Sequence, residues 1–320
     1  MKKSIAIIGA GAWGIALAIH VARTNANVYL WSRKELPDPN TKTLSRLKNF
    51  PLPDNIQVHN SFPKNADLIF LAVPLQFIRS ILPNISSLQC PIIVCCKGVE
   101  QQTLKFPSEI IEEFVPKQNI AILSGPNFAH EVAANLPTAS VIASENIQMA
   151  QEISDEISTF NFRFYKNDDP IGVQIGGAAK NIFAIAAGAA IGAGLGENAR
   201  ASLITRGISE LSRLSLGLGG SPRTLSGLAG LGDMILTCTG TSSRNYSLGI
   251  ELGNGKKLDA ILKERTVVTE GVTTTPALLK RAQNHHIDVP IIETVAAILS
   301  DKITIHQAKE RLMSRPIPFE

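Results

Sequence analysis

Only four cysteines, Cys90, Cys95, Cys96 and Cys238, occur in 320 residues, and no two of them form a C-x-x-C pair. That scarcity excludes a disulfide framework, and the spacing excludes a zinc ribbon; a reducing, cytoplasmic setting is the default. Cys95 and Cys96 fall within an apolar run, where they act as small hydrophobes. The six histidines follow no ligand spacing, and His285-His286 read as a solvated loop, so no metal site is expected. The net charge is only +4 and the basic residues are scattered. Nucleic-acid binding needs a clustered basic stripe, which is missing, whereas a mild positive balance suits a small anionic substrate.

Two long apolar runs invite a membrane or export reading, and each lacks what that reading requires. Lys2-Lys3 followed by Ile5 to Ala22 resembles a secretory signal. It carries three glycines within six residues, and no small-residue cleavage site follows Val21-Ala22-Arg23. Ile175 to Leu195 is broken by Lys180 and Asn181 and has no aromatic belt. A central lysine in lipid costs roughly 2.5–3.5 kcal/mol. The small-residue spacing of Gly188, Gly192 and Gly196 therefore points to a closely packed buried helix, and no integral membrane segment is expected.

What the chain does have is the hydrophobic fraction (44%) and length of a globular protein with two ordinary domains. Its first motif is Ile5 to Ile8 followed by Gly9, Gly11 and Gly14, a strand running into a G-x-G-x-x-G turn and then an apolar helix. In a dinucleotide-binding βαβ unit the first glycine permits the tight turn. The second lets backbone N–H groups approach a pyrophosphate, and the third lets helix and strand pack closely. The positive end of the helix then faces the phosphates.

Further strands are expected at Asn27–Trp31, Leu68–Val73, Pro91–Cys96, Ile120–Leu123, Ala139–Ala143 and Phe162–Tyr165. Several are continuous apolar runs, as parallel strands covered on both faces require. Alternation with helical stretches predicts an α/β fold with a Rossmann-type doubly wound sheet over residues 1–168. Ligands of such sheets bind beyond the carboxyl ends of the strands, so Gly9, Pro74, Lys97 and Gly125 should converge. At Asp169-Pro170 an N-cap residue precedes proline, a helix start, and helical periodicity continues to the end. A mainly α-helical second domain, all helical by pattern, is expected over residues 169–320, holding the substrate and the catalytic groups.

An NAD-specific unit usually carries a carboxylate about 20 residues beyond the glycine loop, to bond the ribose 2′-hydroxyl. Here the second strand ends Leu30-Trp31-Ser32-Arg33, with a guanidinium near that place. Arg33 can pair with a 2′-phosphate, which implies NADP as well as NAD; the alternative is an ordinary surface arginine.

Nicotinamide chemistry asks the protein to position a carbonyl or alcohol and to move one proton. Lys180, set among Gly176, Gly177, Ala178, Ala179, Phe183 and Ala184, has the residue type and setting for that proton. Desolvation lowers a lysine pKa and a nearby carboxylate opposes the shift. Its other reading is a lysine that snorkels to the surface. Asn181 beside it can hold a substrate oxygen. Asp233 follows a glycine-rich turn, where a mere N-cap is the alternative, and Ser243-Arg244-Asn245 supplies donors suited to a phosphate group.

Taken in order, these motifs resemble the bacterial-type NAD(P)-dependent glycerol-3-phosphate dehydrogenases over nearly the whole chain. The resemblance runs through Gly9, Gly11, Trp13 and Gly14; Trp31 and Arg33; Lys97-Gly98 and Glu100; and Ser124-Gly125-Pro126, Phe128 and Ala129. It continues in Lys180-Asn181, Asn198-Ala199-Arg200, Gly230, Gly232-Asp233, Thr237-Cys238-Thr239, Ser243-Arg244-Asn245 and Glu270-Gly271. It implies an oxidoreductase that reversibly reduces dihydroxyacetone phosphate to sn-glycerol 3-phosphate with NADPH or NADH, supplying phospholipid synthesis. It implies Lys180, Lys97 and Asp233 as catalytic residues. The substrate site would comprise Lys97, Gly125, Asn127, Lys180, Asn181, Asp233, Ser243, Arg244 and Asn245. Cofactor contacts would come from Gly9, Gly11, Ala12, Trp13, Gly14, Arg33, Lys97, Ala129, Arg244, Val268 and Glu270. A homodimer follows by analogy.

The chain departs from the family pattern at Ala12, where serine is common, and at Asn127, where serine or threonine is usual. The segment from Lys34 to Asn49 is also short. None of these removes a charged residue. The rival readings are a 3-hydroxyacid dehydrogenase of the same two-domain architecture and a non-enzymatic nicotinamide-binding regulator in which Lys180 is structural.

Overall fold

The computed structural model describes residues 2–265 and 269–316. The chain forms two compact units, one of Met1–Lys97 with Lys105–Gln174, the other of Gly98–Leu104 with Ile175–Glu320.

In the first unit the strands are β1 (Ser4–Ile8), β2 (Asn27–Trp31), β3 (Ile56–His59), β4 (Leu68–Leu71), β5 (Ile92–Val94), β6 (Ile120–Ser124), β7 (Thr138–Ala143) and β8 (Phe162–Asn167). Together they form one eight-stranded sheet in the order β3-β2-β1-β4-β5-β6-β7-β8. Neighbours are parallel except β6 and β7, which run antiparallel with Ile122 opposite Ala143. The helices of this unit are α1 (Ala12–Ala22), α2 (Ile78–Ile81), α3 (Pro107–Ile111), α4 (Ala129–Ala133) and α5 (Ile147–Ile157).

The doubly wound sheet expected from the sequence is present, with two additions. The β3 strand has no continuous apolar run; Ile56-Gln57-Val58-His59 alternates at the sheet edge beside β2. The reversal between β6 and β7 has a geometric reason. A parallel crossover must return the full length of a strand, about 16 Å for five residues. The linking segment is 13 residues (125–137), against 25 (95–119) for the parallel β5–β6 crossover, and its one α-helix, α4, is about 7 Å long. By contrast α1, with 11 residues, spans the length that the parallel β1–β2 connection needs.

The segment from Ile5 to Ala22 is the heart of this core. Ile5, Ile7, Ile15, Leu17 and Phe70 have no exposed surface. His20, also buried, lies on α1 among Phe162 and Phe164, with its Nε2–H donating to the Ile157 carbonyl at 2.7 Å. Burial lowers its pKa to about 4, so the ring is neutral.

The helix α6 (Pro170–Gly192) opens as expected at Asp169, whose Oδ1 accepts from the Gly172 N–H at 2.8 Å. By length and composition it could cross a membrane, yet 89% of its apolar window is buried inside the protein, as in a core helix. The second unit continues with α7 (Gly196–Gly217), α8 (Pro222–Leu225), α9 (Asp233–Thr239), α10 (Arg244–Gly253), α11 (Leu258–Glu264), α12 (Glu270–Asn284), α13 (Pro290–Leu299) and α14 (Ile305–Met313). Among the described residues it contains no strand.

Two helices of this unit meet backbone to backbone. A Cβ on Gly188 or Gly192 of α6 would strike the carbonyls of Tyr246 or Ile250 on α10. On α10, a Cβ at Gly249 or Gly253 would strike those of Ile185 or Ala189. The small-residue spacing read in α6 thus serves a helix–helix contact, with a matching stripe on α10. Gly196 is not part of it; α6 ends at Gly192, and Gly196 opens α7 at φ +84°.

Candidate active site

In the first unit β1, β4, β5 and β6 are consecutive parallel neighbours, so their carboxyl ends share one edge of the sheet. Gly9 follows β1, Pro74 lies three residues after β4, Lys97 lies three after β5, and Gly125 follows β6. The convergence expected from the sequence is therefore built into the sheet order.

The glycine turn has the geometry of a phosphate cradle. Gly9 adopts φ +120°, and a Cβ there would press on the Ala72 carbonyl at 2.8 Å. A Cβ on Gly14 would strike the Gly9 carbonyl, so close packing of turn and helix needs both glycines. Gly11, exposed, would meet nothing within 4 Å. It caps α1 with no side-chain bond, leaving the first-turn N–H groups and the positive helix end facing open space. Ala12 and Trp13 open the helix, half-buried. These features fit the pyrophosphate of a dinucleotide.

Beyond β2, Arg33 is exposed. The nearest downstream acid, Glu35, is committed elsewhere, accepting from the Ser45 N–H at 2.6 Å and the Ser45 hydroxyl at 2.9 Å. Asp38 accepts from the Asn40 and Thr41 N–H groups, which hold its carboxyl below the usual range. The turn after β2 thus presents a guanidinium, with both nearby carboxylates tied to their own loop.

After β6, Gly125 takes φ +150° against the backbone of Ser140. Asn127 donates from Nδ2 to the Ser140 hydroxyl at 2.6 Å, so the bulkier residue at this position is held by β7. Its Oδ1 is buried and accepts no hydrogen bond among the described residues. Ala129 begins α4.

In the second unit a close helix contact brings the central pair together. Gly176 of α6 sits against the carbonyl of Ala229, in a π-helical turn (Leu228–Gly232) that leads into α9. One helical turn further along each element, Lys180 meets Asp233, as the i,i+4 rule requires. Lys180 Nζ and Asp233 Oδ1 form an ion pair; the lysine side chain is 11% exposed and the aspartate not at all. The snorkelling alternative for Lys180 is thereby excluded. So is the N-cap alternative for Asp233: it is the first residue of α9, its carboxylate faces Lys180, and Gly232 occupies the cap position. Thr237 bonds the Asp233 carbonyl at 2.6 Å. Nearby Cys238 is buried, and desolvation pushes its thiol up to about 12, which leaves it protonated and inert.

Asn181 is buried beside Lys180. Its carbonyl lies 3.0 Å from where a Cβ on Gly271 would be, and Gly271 donates its N–H to Asn245 Oδ1 at 3.0 Å. Asn181, Asn245 and the head of α12 are thus brought together, with Glu270 half-buried at its first position. Ser243 caps α10, accepting from the Tyr246 N–H at 3.2 Å, while Arg244 stands exposed at the first helical position. Val268 lies outside the described residues. Among the described residues, no cluster of three or more His, Cys, Asp or Glu is placed to hold a metal ion.

One residue at this site escaped the motif reading. Arg265 donates to the Arg244 carbonyl at 2.8 Å and to Glu251 at 2.5 Å. No spacing rule links it to partners 14 and 21 positions upstream, so the sequence carries no signal for it.

Comparison with known proteins agrees with this geometry over the whole chain. Two family models match, the NAD-dependent glycerol-3-phosphate dehydrogenase N-terminus over residues 4–150 and its C-terminus over residues 169–310. A glycerol-3-phosphate dehydrogenase [NAD(P)+] of Gluconobacter oxydans is 49% identical over 318 residues, covering 98% of each chain. Another, from Hyphomonas neptunium, is 41% identical over 327 residues, with 99% of this chain and 97% of the relative covered. The crystal structure of glycerol-3-phosphate dehydrogenase from Coxiella burnetii superposes with a TM-score of 0.89 at 37% identity, covering 98% of this chain and 99% of that one. With a dinucleotide cradle, a buried lysine–aspartate pair and matches from end to end, this chain belongs to the NAD-dependent glycerol-3-phosphate dehydrogenase family.

Proposed function

We propose that this chain catalyses the reversible reduction of dihydroxyacetone phosphate to sn-glycerol 3-phosphate, using NADPH or NADH. The observation that carries the reading is the buried Lys180–Asp233 pair in a chain matched throughout by this family.

The glycine turn and Arg33 of the first unit are assigned to the cofactor, and Lys180 and Asp233 of the second to catalysis. Gly9, Gly11, Ala12, Trp13 and Gly14 would hold the pyrophosphate, a role supported by the open face at Gly11 and the helix end behind it. Arg33 would pair with the 2′-phosphate of NADP, and the commitment of Glu35 to Ser45 supports that role. Lys97, Ala129, Arg244, Val268 and Glu270 complete the cofactor contacts by family resemblance. When bound, the nicotinamide supplies the hydride.

The protein's own part is proton movement and charge placement. As the substrate carbonyl accepts the hydride, negative charge builds on its oxygen. The Lys180 ammonium donates a proton from Nζ to that oxygen, and in the reverse direction the same nitrogen takes it back. Asp233 orients Nζ and balances its charge in surroundings that exclude water. By family resemblance Asn181 is assigned to a substrate oxygen, and Gly125 and Asn127 are assigned to the substrate site. Arg244 and Ser243 suit the dianionic phosphate, since a guanidinium matches its oxygens bidentately, and Lys97 is assigned to the substrate by family resemblance alone. Asn245 acts with them through the α12 head it bonds.

The product would feed phospholipid synthesis. A cytoplasmic setting suits four buried free cysteines, and a homodimer is the commonest assembly among soluble oligomers.

The test follows NADPH and NADH absorbance with dihydroxyacetone phosphate, using the keto form of a small 3-hydroxyacid as control. Turnover of the phosphate and not the acid is expected. No turnover of the phosphate would overturn the proposal.

A further inference from the structure

Arg265 follows α11 and has only 18% of its side chain exposed. Its guanidinium makes contacts along a single face of α10. Nη1 donates to the Arg244 carbonyl at 2.8 Å, and Nη2 reaches the Ser247 hydroxyl at 3.1 Å and Glu251 Oε1 at 2.5 Å. Positions 244, 247 and 251 follow the i, i+3, i+7 rule, so one rigid fork spans two turns of helix. The carboxylate it grips is fixed from behind. Lys256 Nζ reaches Glu251 Oε2 at 3.2 Å and Glu264 Oε2 at 3.0 Å. Six residues beyond Arg265, the Gly271 N–H donates to Asn245 Oδ1 at 3.0 Å. Residues 265 and 271 are thus fastened to the adjacent residues 244 and 245, from opposite ends of the segment that leads into α12.

We infer that Arg265 is a positioning residue for the substrate's phosphate end, holding the head of α10 so that Arg244 and Asn245 keep their places. The inference rests on the proposed dehydrogenase reading. Its physical basis is that a helix's first turn lacks half of its hydrogen-bond restraints and frays unless something outside holds it. Here Ser243 caps the N–H side, and Arg265 braces the same turn from the carbonyl side. A buried-edge guanidinium with a carboxylate, a hydroxyl and a carbonyl in reach is pre-organised, so little is lost in holding it. Arg265 touches neither the phosphate nor the reacting carbonyl; it acts through Arg244 and Asn245.

The experiment compares Arg265→Ala, Arg265→Lys and Glu251→Gln with the unmutated full chain. Dihydroxyacetone phosphate and unphosphorylated dihydroxyacetone serve as substrates, and thermal midpoints are recorded alongside. Arg265→Ala is expected to raise KM for the phosphate about ten-fold, equivalent to about 1.4 kcal/mol, with kcat changed less than about two-fold. Its kcat/KM for dihydroxyacetone should stay level. Arg265→Lys keeps the charge but not the fork, and is expected to show most of the same rise. Recovery by lysine would reduce the effect to long-range charge and overturn positioning. An unchanged KM in Arg265→Ala, or a parallel loss with both substrates, would also overturn it. Should Arg265→Ala fail to fold, Glu251→Gln carries the test, with a KM rise of the same sign expected and none overturning the inference. Absence of turnover by the unmutated chain would instead overturn the dehydrogenase reading on which this one stands.

Discussion

Replacing Lys180 with methionine removes an ammonium from a carboxylate that has no exposed surface. Breaking a buried pair from one side leaves the other charge uncompensated, at about 3–5 kcal/mol. Asp233→Leu should do the same to the lysine. In a unit of this size such losses lower the thermal midpoint by roughly 6–20 °C. The double variant Lys180→Met with Asp233→Leu replaces the pair by apolar groups of similar volume, an exchange that is often nearly neutral. It should therefore be more stable than either single variant, giving a coupling energy of roughly 3 kcal/mol or more. Urea unfolding followed by circular dichroism would read this as shifted midpoints at unchanged slope. All three variants should be inactive, so the stability cycle separates pairing from chemistry. If the double variant lost the sum of the two single losses, the two groups would not be paired and the site described above would be wrong.

Three other outcomes follow from the same structure. Arg33→Asp should raise KM for NADPH much more than KM for NADH, and equal effects on both would contradict the 2′-phosphate role. Gly249→Ala places a methyl group against the Ile185 carbonyl. It should destabilise by about 1–3 kcal/mol and lower activity by prising α10 from α6; an unchanged midpoint would show that the helices are not in backbone contact. For His20, burial lowers the folded-state pKa from 6.5 to about 4. The unfolded chain takes up a proton below pH 6.5 while the native ring stays neutral. Stability from this group is thus complete above pH 6.5 and falls by about 3 kcal/mol as the pH drops to 4. His20→Leu should flatten stability over that interval, and an unchanged acid sensitivity would place its source elsewhere.

Much of the fold is legible in the sequence because a buried parallel strand declares itself by a continuous apolar run. Leu68 to Leu71 and Ile92 to Val94 are of this kind, and both have almost no exposed surface. Direction is not encoded in such a run, so the reversal between β6 and β7 stays hidden until the short α4 is seen. Edge position hides β3, where Gln57 and His59 interrupt the pattern. The site divides along similar lines. The glycine turn is legible because backbone geometry demands glycine at Gly9 and Gly14. Lys180 and Asp233 are each conspicuous, but the pair spans 53 residues and depends on Gly176 meeting Ala229. Helical spacing reveals the small stripe on α6 without revealing its counterpart on α10. Arg265 is invisible for a simpler reason: an arginine near a helix end is common, and only its fork onto α10 distinguishes it.

In the proposed mechanism Lys180 is the group that moves the proton. The direct measurement is single-turnover oxidation of NADPH by Lys180→Ala with saturating dihydroxyacetone phosphate, alongside NADPH binding by fluorescence. Loss of a general acid slows the chemical step by roughly 10²–10⁴-fold, and that fall is expected with NADPH affinity preserved. Oxidation at the unmutated rate would contradict the assignment and return Lys180 to a structural role.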